Sequence, residues 1–219
     1  MDKYIEFLLA STLFAGVSPE ELTSLLRCLQ ARVITAEKGA PVFLEGDEAG
    51  FIGLVLTGGV QIVRDDYYGT RSVLSIVQPG DIFAETYACS SAETMPVSGY
   101  AVKDSQIILF SCRKMLTVCT NACPFHNLLV KNLLQLVAEK SVDLSQKIRF
   151  MSQKTTREKL MAYLLDQAKR AGSPDFTIPF DRQALADYLG VERSAMSAEL
   201  SKLRKDGILT TQGSHFILR

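Results

Sequence analysis

The stretch of residues 180–204 has the spacing of two short helices joined by a tight turn, which constrains the fold more than any other feature of the chain. Asp181 is predicted to be an N-cap, because the apolar residues that follow it recur at helical spacing. The first helix is therefore predicted over Gln183 to Leu189. Gly190 lies where a helix end favours a left-handed residue, and Val191 is predicted to be buried in the turn. The pattern predicts a helix-turn-helix.

The second helix is predicted to start at Glu192 or Arg193 and to bury Met196, Leu200 and Leu203. Its other face carries small and polar residues, which suit a surface that enters the major groove of DNA. The residues predicted to contact DNA are Arg193, Ser194, Ser197 and Ala198, with Lys202 and Arg204 closer to the phosphates.

A predicted β-hairpin after the second helix supports this interpretation. Ile208 to Leu218 is predicted to be a β-hairpin, and two helices with a hairpin make a winged helix rather than an ordinary helical hairpin.

The chain has 24 basic and 24 acidic residues, a balance that argues against binding of nucleic acid. The charge is uneven, however, because residues 152–219 have 11 Lys and Arg against 8 Asp and Glu. This excess supports DNA binding only weakly, so the prediction depends on the motif.

The first half of the chain has a β pattern. From Ala31 to about Phe110, short β-rich runs are separated by turn signals roughly eight to twelve residues apart, which predicts a compact antiparallel β-roll or barrel. A short helical segment is expected from Asp81 to about Cys89, and a strand from Ser98 to Phe110 closes the roll. Before the roll, Ser18 to Glu21 is a predicted capping box with proline at the first helical position.

The segment from Pro124 to Met151 is predicted to form one long helix. Its apolar stripe needs a partner, most simply a parallel copy of itself, and the alternative is a core helix within one chain. The residues predicted for this dimer interface are Leu129, Leu133, Leu136, Val137, Leu144 and Ile148.

A second capping box, Thr155 to Glu158, follows the long helix and is predicted to start the first helix of the C-terminal domain. The predicted domains are an effector-sensing roll (1–122), a dimerisation helix (123–152) and a winged helix-turn-helix (153–219).

Composition argues against several other classes. No apolar run reaches the roughly 18 residues of a membrane span. The apolar N-terminal segment is short for a signal peptide and is interrupted by Glu6, so a cytoplasmic protein with no membrane partner is expected. Residues 31–110 contain no histidine, which argues against a metal-dependent enzyme built on the roll.

The roll, the long helix and the winged helix, in this order, resemble the CRP/FNR family of bacterial transcription regulators over residues 15–219. The resemblance is most specific in Glu45–Ile62 (EGDEAGFIGLVLTGGVQI), in Pro79–Glu85 (PGDIFAE) and in the helix-turn-helix. It implies an α+β fold and a homodimer on two-fold symmetric double-stranded DNA, with an effector in the roll and, for an activator, RNA polymerase as a partner. The first alternative is a dimeric scaffold whose winged helix binds protein partners, and the less favoured one is a β-roll enzyme.

The expected effector site departs from the members of that family that bind cyclic nucleotides. Those members hold the ligand's phosphate with a Gly-Glu pair and, further along the chain, an Arg-Ser/Thr pair. Here Glu85 matches the glutamate, but Ala84 replaces the glycine and Met95-Pro96 replaces the later pair. Neither Met nor Pro can neutralise a phosphate, so an effector other than a cyclic nucleotide is expected. The predicted pocket residues are Glu85, Tyr87, Met95 and Val97, and no cofactor is required.

The cysteines form an odd set that lacks the density of a disulfide framework, which indicates reduced thiols. They are Cys28, Cys89, Cys112, Cys119 and Cys123. Cys119 and Cys123 are the close pair, one helical turn apart, and they provide two metal ligands rather than the four of an iron–sulfur cluster. No metal site is therefore expected. A thiol redox response through Cys89, Cys112, Cys119 or Cys123 is the alternative to small structural thiols.

Overall fold

The computed structural model of the chain describes residues 2–68, 71–117 and 124–219. It has two compact units, Met1–Ala138 and Glu139–Arg219. The predicted α+β class is confirmed, with an N-terminal roll of antiparallel sheets, a long helix and a C-terminal winged helix-turn-helix. Among the described helices, none is long and apolar enough to cross a lipid bilayer.

Short helices precede the roll in the first unit. They are two 3-10 helices, Asp2–Tyr4 and Thr12–Phe14, and two α-helices, α1 Ile5–Leu9 and α2 Pro19–Cys28. The capping box predicted for α2 is confirmed, because Glu21 N donates to Ser18 Oγ at 3.3 Å and Ser18 N donates to the Glu21 carboxylate at 2.8 Å. These bonds satisfy two backbone N–H groups that a helix start leaves free, which fixes where α2 begins.

The roll consists of two four-stranded antiparallel sheets. Their strands are β1 Arg32–Ala36, β2 Pro41–Phe43, β3 Phe51–Thr57, β4 Val60–Asp65, β5 Arg71–Val77, β6 Ile82–Phe83, β7 Ser98–Ala101 and β8 Ser105–Ser111. One sheet has the order β1-β8-β3-β6 and the other the order β2-β7-β4-β5. The single strand predicted over residues 98–110 is therefore two strands, because the chain bends at residues 102–104 and passes from one sheet to the other.

Two short helices interrupt and follow the roll, α3 Glu85–Ala88 and α4 Cys112–Leu116. The helix predicted from Asp81 to Cys89 is shorter than expected at its start. Ile82 and Phe83 form β6 instead, because they pair with Leu54 and Gly53 of β3. Long-range strand pairing thus overrides the local helical pattern.

Two aromatic rings join the sheets inside the roll. Phe43 of β2 and Phe83 of β6 belong to different sheets, and their rings stack with centroids 5.9 Å apart. Each ring lies against a glycine, since a Cβ at Gly53 would overlap Phe83 and a Cβ at Gly99 would overlap Phe43. The glycines are needed because the rings occupy the space of a side chain.

The long helix α5 spans Pro124–Met151, the bounds predicted from the sequence. The predicted domain boundary at residues 122–123 lies outside the described residues. Within the first unit, Leu129 and Leu133 of α5 are buried in the core. The Asn132 amide donates to two backbone carbonyls of the N-terminal segment at 3.1 and 3.0 Å. The first half of α5 is therefore a core helix of the first unit.

The second unit contains the winged helix. Its helices are α6 Thr156–Ala171, α7 Arg182–Leu189 and α8 Arg193–Lys205, and its strands are β9 Asp175–Thr177, β10 Leu209–Gln212 and β11 His215–Leu218. The second predicted capping box is confirmed at Thr155 and Glu158, and the predicted hairpin corresponds to β10 and β11. Sequence periodicity does not predict β9, because a three-residue strand is too short to show alternation; Phe176 pairs there with Phe216.

Candidate functional site

The helix-turn-helix is fixed by the residues that the sequence indicates. The Asp181 carboxylate accepts a bond from Ala184 N at 2.8 Å, which confirms its role as N-cap of α7. Gly190 has φ of 60° and ends α7 in the left-handed conformation. The N–H of Val191 donates to the Ala186 carbonyl at 3.0 Å, and its side chain is half-buried against the core of the second unit. These contacts set the direction in which α8 leaves the turn.

One face of α8 is buried, as predicted. Met196, Leu200 and Leu203 are at most 5% exposed and belong to the core of the second unit. Burial of such a side chain contributes roughly 1.5–3 kcal/mol. The partners in that core include Leu185, Leu189, Leu209 and Phe216. α8 is therefore held by both α7 and the wing.

The opposite face of α8 is exposed and contains the residues predicted to contact DNA. Arg193, Ser194, Ser197 and Ala198 are all exposed and lie in its first two turns. Lys202 pairs with Glu199 at 2.6 Å, so part of its charge is already balanced. Within the described part of the chain, neither Arg193 nor Arg204 has an ion-pair partner.

A cleft of about 200 Å³ lies between α8 and the wing, and Arg182 and Arg204 line it together with Ser197, Ser201 and Thr211. The Arg182 guanidinium donates to Thr211 Oγ1 at 2.8 Å and lies 5.1 Å from the Phe216 ring centroid. Burial lowers the pKa of Arg182, but a guanidinium remains charged at neutral pH. Sequence reasoning misses Arg182, because its approach to Arg204 depends on how α7, α8 and β10 pack.

The residues predicted for the effector pocket are mostly buried in the core of the roll and at the start of α3. Glu85, Met95 and Val97 are at most 3% exposed, and Tyr87 is half-buried against the same cluster. The backbone of Met95 is bonded on both sides, because its N–H donates to Asp47 O and its carbonyl accepts from Gly46 N, each at 2.8 Å. The Met95 side chain therefore contributes to packing of the roll.

Ala84, the residue that replaces a glycine in the family resemblance, has φ of 66°. The left-handed region disfavours residues with a Cβ by about 1–2 kcal/mol, yet Ala84 adopts it as the N-cap of α3. The backbone bend before Glu85 is therefore kept although the glycine that would adopt it without strain is absent.

A cavity of about 570 Å³ lies in the first unit, and its lining does not include the predicted effector residues. Arg32, Asp47, Glu48 and Phe51 line part of it, and Glu85, Tyr87, Met95 and Val97 do not. The sequence does not predict this cavity, since its lining comes from β1, β2, β3, β8, the residue Gln30 before β1 and the loop between β2 and β3.

The predicted dimer residues are divided between two environments. Leu129 and Leu133 are buried in the core of the first unit, and Leu136 and Val137 pack against that core while remaining partly exposed. Leu144 and Ile148, in the second unit, are 59% and 58% exposed. The six residues therefore do not form one exposed stripe, because the first unit uses part of the set for its own core.

The cysteines are placed in a way that sequence spacing does not predict. Cys119 and Cys123, the close pair in sequence, lie outside the described residues. Cys89 and Cys112 are 23 positions apart, yet their sulfurs are 3.7 Å apart. Among the described residues, no group of three or more His, Cys, Asp or Glu could hold a metal ion.

Comparison with known proteins agrees with this architecture. A cyclic nucleotide-binding domain model matches residues 33–122, and a Crp-like helix-turn-helix domain model matches residues 158–219. The cyclic AMP receptor protein of Thermus thermophilus is 26% identical over 199 residues, or 91% of this chain and 88% of the relative. The transcriptional activator FnrL of Cereibacter sphaeroides is 24% identical over 219 residues, or 93% and 82%.

A solved structure shows the same fold. CLP of Xanthomonas campestris has a TM-score of 0.59 at 19% identity, with 90% of this chain and 97% of that chain covered. The fold and the two domain matches define a DNA-binding transcription regulator that combines a Crp-like helix-turn-helix with a roll of the cyclic nucleotide-binding type. The chain belongs to the CRP/FNR family, whose members are transcription regulators and not enzymes.

The strained backbone of Ala84 gives a testable expectation. Ala84→Gly should raise the free energy of unfolding by about 0.5 kcal/mol, because relief of the left-handed strain exceeds the added entropy of the unfolded chain. The matched control is Ala138→Gly in α5, an exposed helical position where the same change should cost about 1 kcal/mol. Urea unfolding followed by circular dichroism measures both changes, and equal destabilisation by the two variants would show that Ala84 is not strained.

Proposed function

We propose that this chain acts as a homodimer that reads a two-fold symmetric DNA site with the start of α8, and that its effector is not a cyclic nucleotide. The observation that supports DNA reading is the two-sided character of α8. Its apolar face is buried in the core, and its other face presents Arg193, Ser194, Ser197 and Ala198 to solvent. A helix held in this way can enter the major groove without loss of its packing.

The chemistry of the exposed residues suits base reading. The guanidinium of Arg193 can donate two parallel bonds to O6 and N7 of a guanine, and no ion pair among the described residues competes for it. Ser194 and Ser197 are short hydroxyl donors, and Ala198 can contact a thymine methyl group. Arg182 and Arg204 in the cleft beside the wing suit phosphate contacts, which position the protein without reading sequence.

DNA selected from a random pool by the full chain supplies the site for a binding test. Arg193→Ala should weaken binding to the selected site by about 1–3 kcal/mol and relax the preference at one base pair. Arg204→Ala is the contrasting variant, because loss of a phosphate contact should weaken selected and random DNA equally and reduce the salt dependence. Fluorescence anisotropy at several salt concentrations measures both effects, and equal weakening of both DNAs by Arg193→Ala would rule out base reading by that residue.

The dimer proposal depends on the second half of α5. Leu144, Ile148 and Met151 follow one another at spacings of four and three residues, so they lie on one helical face, and all three are exposed. Large apolar side chains in such an arrangement favour a partner helix, and a second copy of α5 presents the same face. Val142 is also exposed but lies on the opposite side of the helix, about 160° from Leu144 at the 3.6-residue period.

Leu144→Glu and Ile148→Glu should therefore give monomers, because like charges would meet in a buried seam. Val142→Glu is the matched control and should leave the dimer intact. Analytical ultracentrifugation of the three variants at equal concentration tests the interface. Dimers of unchanged stability for both seam variants would contradict it, and loss of the dimer in the control would show that the seam lies elsewhere on α5.

The effector proposal depends on the charge of a cyclic phosphate. Burial of that charge without a cation costs several kcal/mol, and the predicted site presents Met95 and Pro96 where the resemblance expects an arginine and a hydroxyl. Met95 is buried in the roll core, and Arg71 is engaged by Asp65 through two bonds of 2.8 Å. The relatives do not share one ligand, since one is named a cyclic AMP receptor and another is described as responsive to c-di-GMP.

Calorimetry tests this absence of cyclic-nucleotide binding. Neither cyclic AMP nor cyclic GMP should bind with a dissociation constant tighter than about 10 µM, because the charge-assisted pair is missing. The double variant Met95→Arg, Pro96→Ser should gain weak affinity for one of them. Tight binding by the unchanged protein would overturn the proposal.

A further inference from the structure

Cys89 and Cys112 form a pair of thiols in the first unit. Cys89 directly follows α3 and Cys112 is the first residue of α4. Their sulfur atoms are 3.7 Å apart, and a disulfide requires them to be roughly 1.7 Å closer. Both thiols are free in the structure. The two helix ends therefore bring the sulfurs into van der Waals contact.

The two thiols differ in access. Cys89 is exposed, whereas Cys112 is 2% exposed and lies beneath it, with its Sγ 3.1 Å from the Ala88 carbonyl oxygen. A hydrogen bond from Cys112 lowers the pKa of Cys89, although burial and the nearby Glu85 carboxylate oppose this shift. The pKa of Cys112 is raised by the neighbouring sulfur and by burial. Cys89 is thus the thiol that an oxidant in solution reaches first, and as the better thiolate it is the nucleophile.

We propose that Cys89 and Cys112 are an oxidative modification site that a peroxide converts reversibly to a disulfide. In the first step the Cys89 thiolate attacks one peroxide oxygen, the O–O bond breaks, and Cys89 becomes a sulfenic acid while hydroxide takes up a proton as water. In the second step the Cys112 sulfur attacks the Cys89 sulfur, and a second water leaves with the Cys112 proton. Two thiols and one hydrogen peroxide thus give one disulfide and two waters.

The position of the pair links it to the regulatory roll and to α5. α3 begins with the buried Glu85, and α4 contains Met115, whose carbonyl accepts a bond from His126 Nε2 of α5 at 2.8 Å. A disulfide would tie α3 to the helix that contacts the start of α5. We infer that the oxidised and reduced proteins differ in DNA affinity; this regulatory part rests on the proposed function, whereas formation of the disulfide does not.

Two closely spaced thiolates are also suitable ligands for a soft metal such as zinc. A structural zinc site needs four ligands, and the described residues provide no group of three around these sulfurs. The observed pair therefore favours chemistry between the two sulfurs, and metal binding is treated as an outcome of the test.

The test uses the full chain, treated with stoichiometric hydrogen peroxide, blocked with an alkylating agent and digested with trypsin. Cleavage after Lys and Arg places Cys28, Cys89 and Cys112 on separate peptides, 28–32, 72–103 and 104–113, and both Cys119 and Cys123 on 115–131. We expect peptides 72–103 and 104–113 to be linked, the two thiols to be lost in equal amounts, and dithiothreitol to restore both. Cys89→Ser and Cys112→Ala, which keeps a small side chain in the buried position, should abolish this link. Cys28→Ser is the control and should retain it.

Several results would overturn the proposal. One is a link from either peptide to 115–131, and another is sulfinic acid at Cys89 with Cys112 still free. Zinc that copurifies with the reduced wild type and is absent from Cys89→Ser would show that the sulfurs are metal ligands. For the regulatory part, we expect at least a fivefold change in DNA affinity on oxidation, absent in Cys89→Ser, and equal affinities would overturn it. Failure of the reduced wild type to bind DNA would instead refute the proposed function and leave the peptide result intact.

Discussion

The burial of one face of α8 is the constraint on which the surface proposed to bind DNA depends. Met196, Leu200 and Leu203 are held by α7 on one side and by the wing on the other. Each contributes roughly 1.5–3 kcal/mol, which is large beside the 5–15 kcal/mol of a typical domain. Because that face is fixed, the opposite face is presented as a rigid surface. The small residues on this surface would let DNA approach α8 closely, while the buried face of the helix keeps its packing.

The charge of the whole chain is a poor guide to this surface, and its local distribution is a better one. Lys202 is balanced by Glu199 at 2.6 Å, and Arg157 is balanced by Asp206 at 3.2 Å. Arg193 and Arg204 are not balanced in this way by any described residue, and Arg182 is held by a hydroxyl and an aromatic ring rather than by a carboxylate. A chain of zero net charge can therefore still present unbalanced positive charge on and beside α8.

Local features of the fold could be predicted from the sequence, and features made by packing could not. The N-cap at Asp181, the left-handed Gly190 and both capping boxes depend on neighbours within a few residues, and all were confirmed. The lining of the cleft by Arg182, the division of the α5 stripe and the approach of Cys89 to Cys112 depend on residues distant in sequence. A period in the sequence shows which side of α5 is apolar, but it does not show whether that side meets the same chain or another.

The roll combines one strained backbone position with a well-packed apolar core. The bend before α3 persists at Ala84 in spite of its strain, and Glu85 after it remains buried. The stacked rings of Phe43 and Phe83 connect the two sheets. Met95 belongs to the same hydrophobic cluster as these two rings. Because this core is apolar, the proposed absence of a phosphate-binding cation at Met95 leaves its packing intact. The thiol pair that we propose as an oxidation site includes Cys89, at the other end of the helix that Ala84 begins.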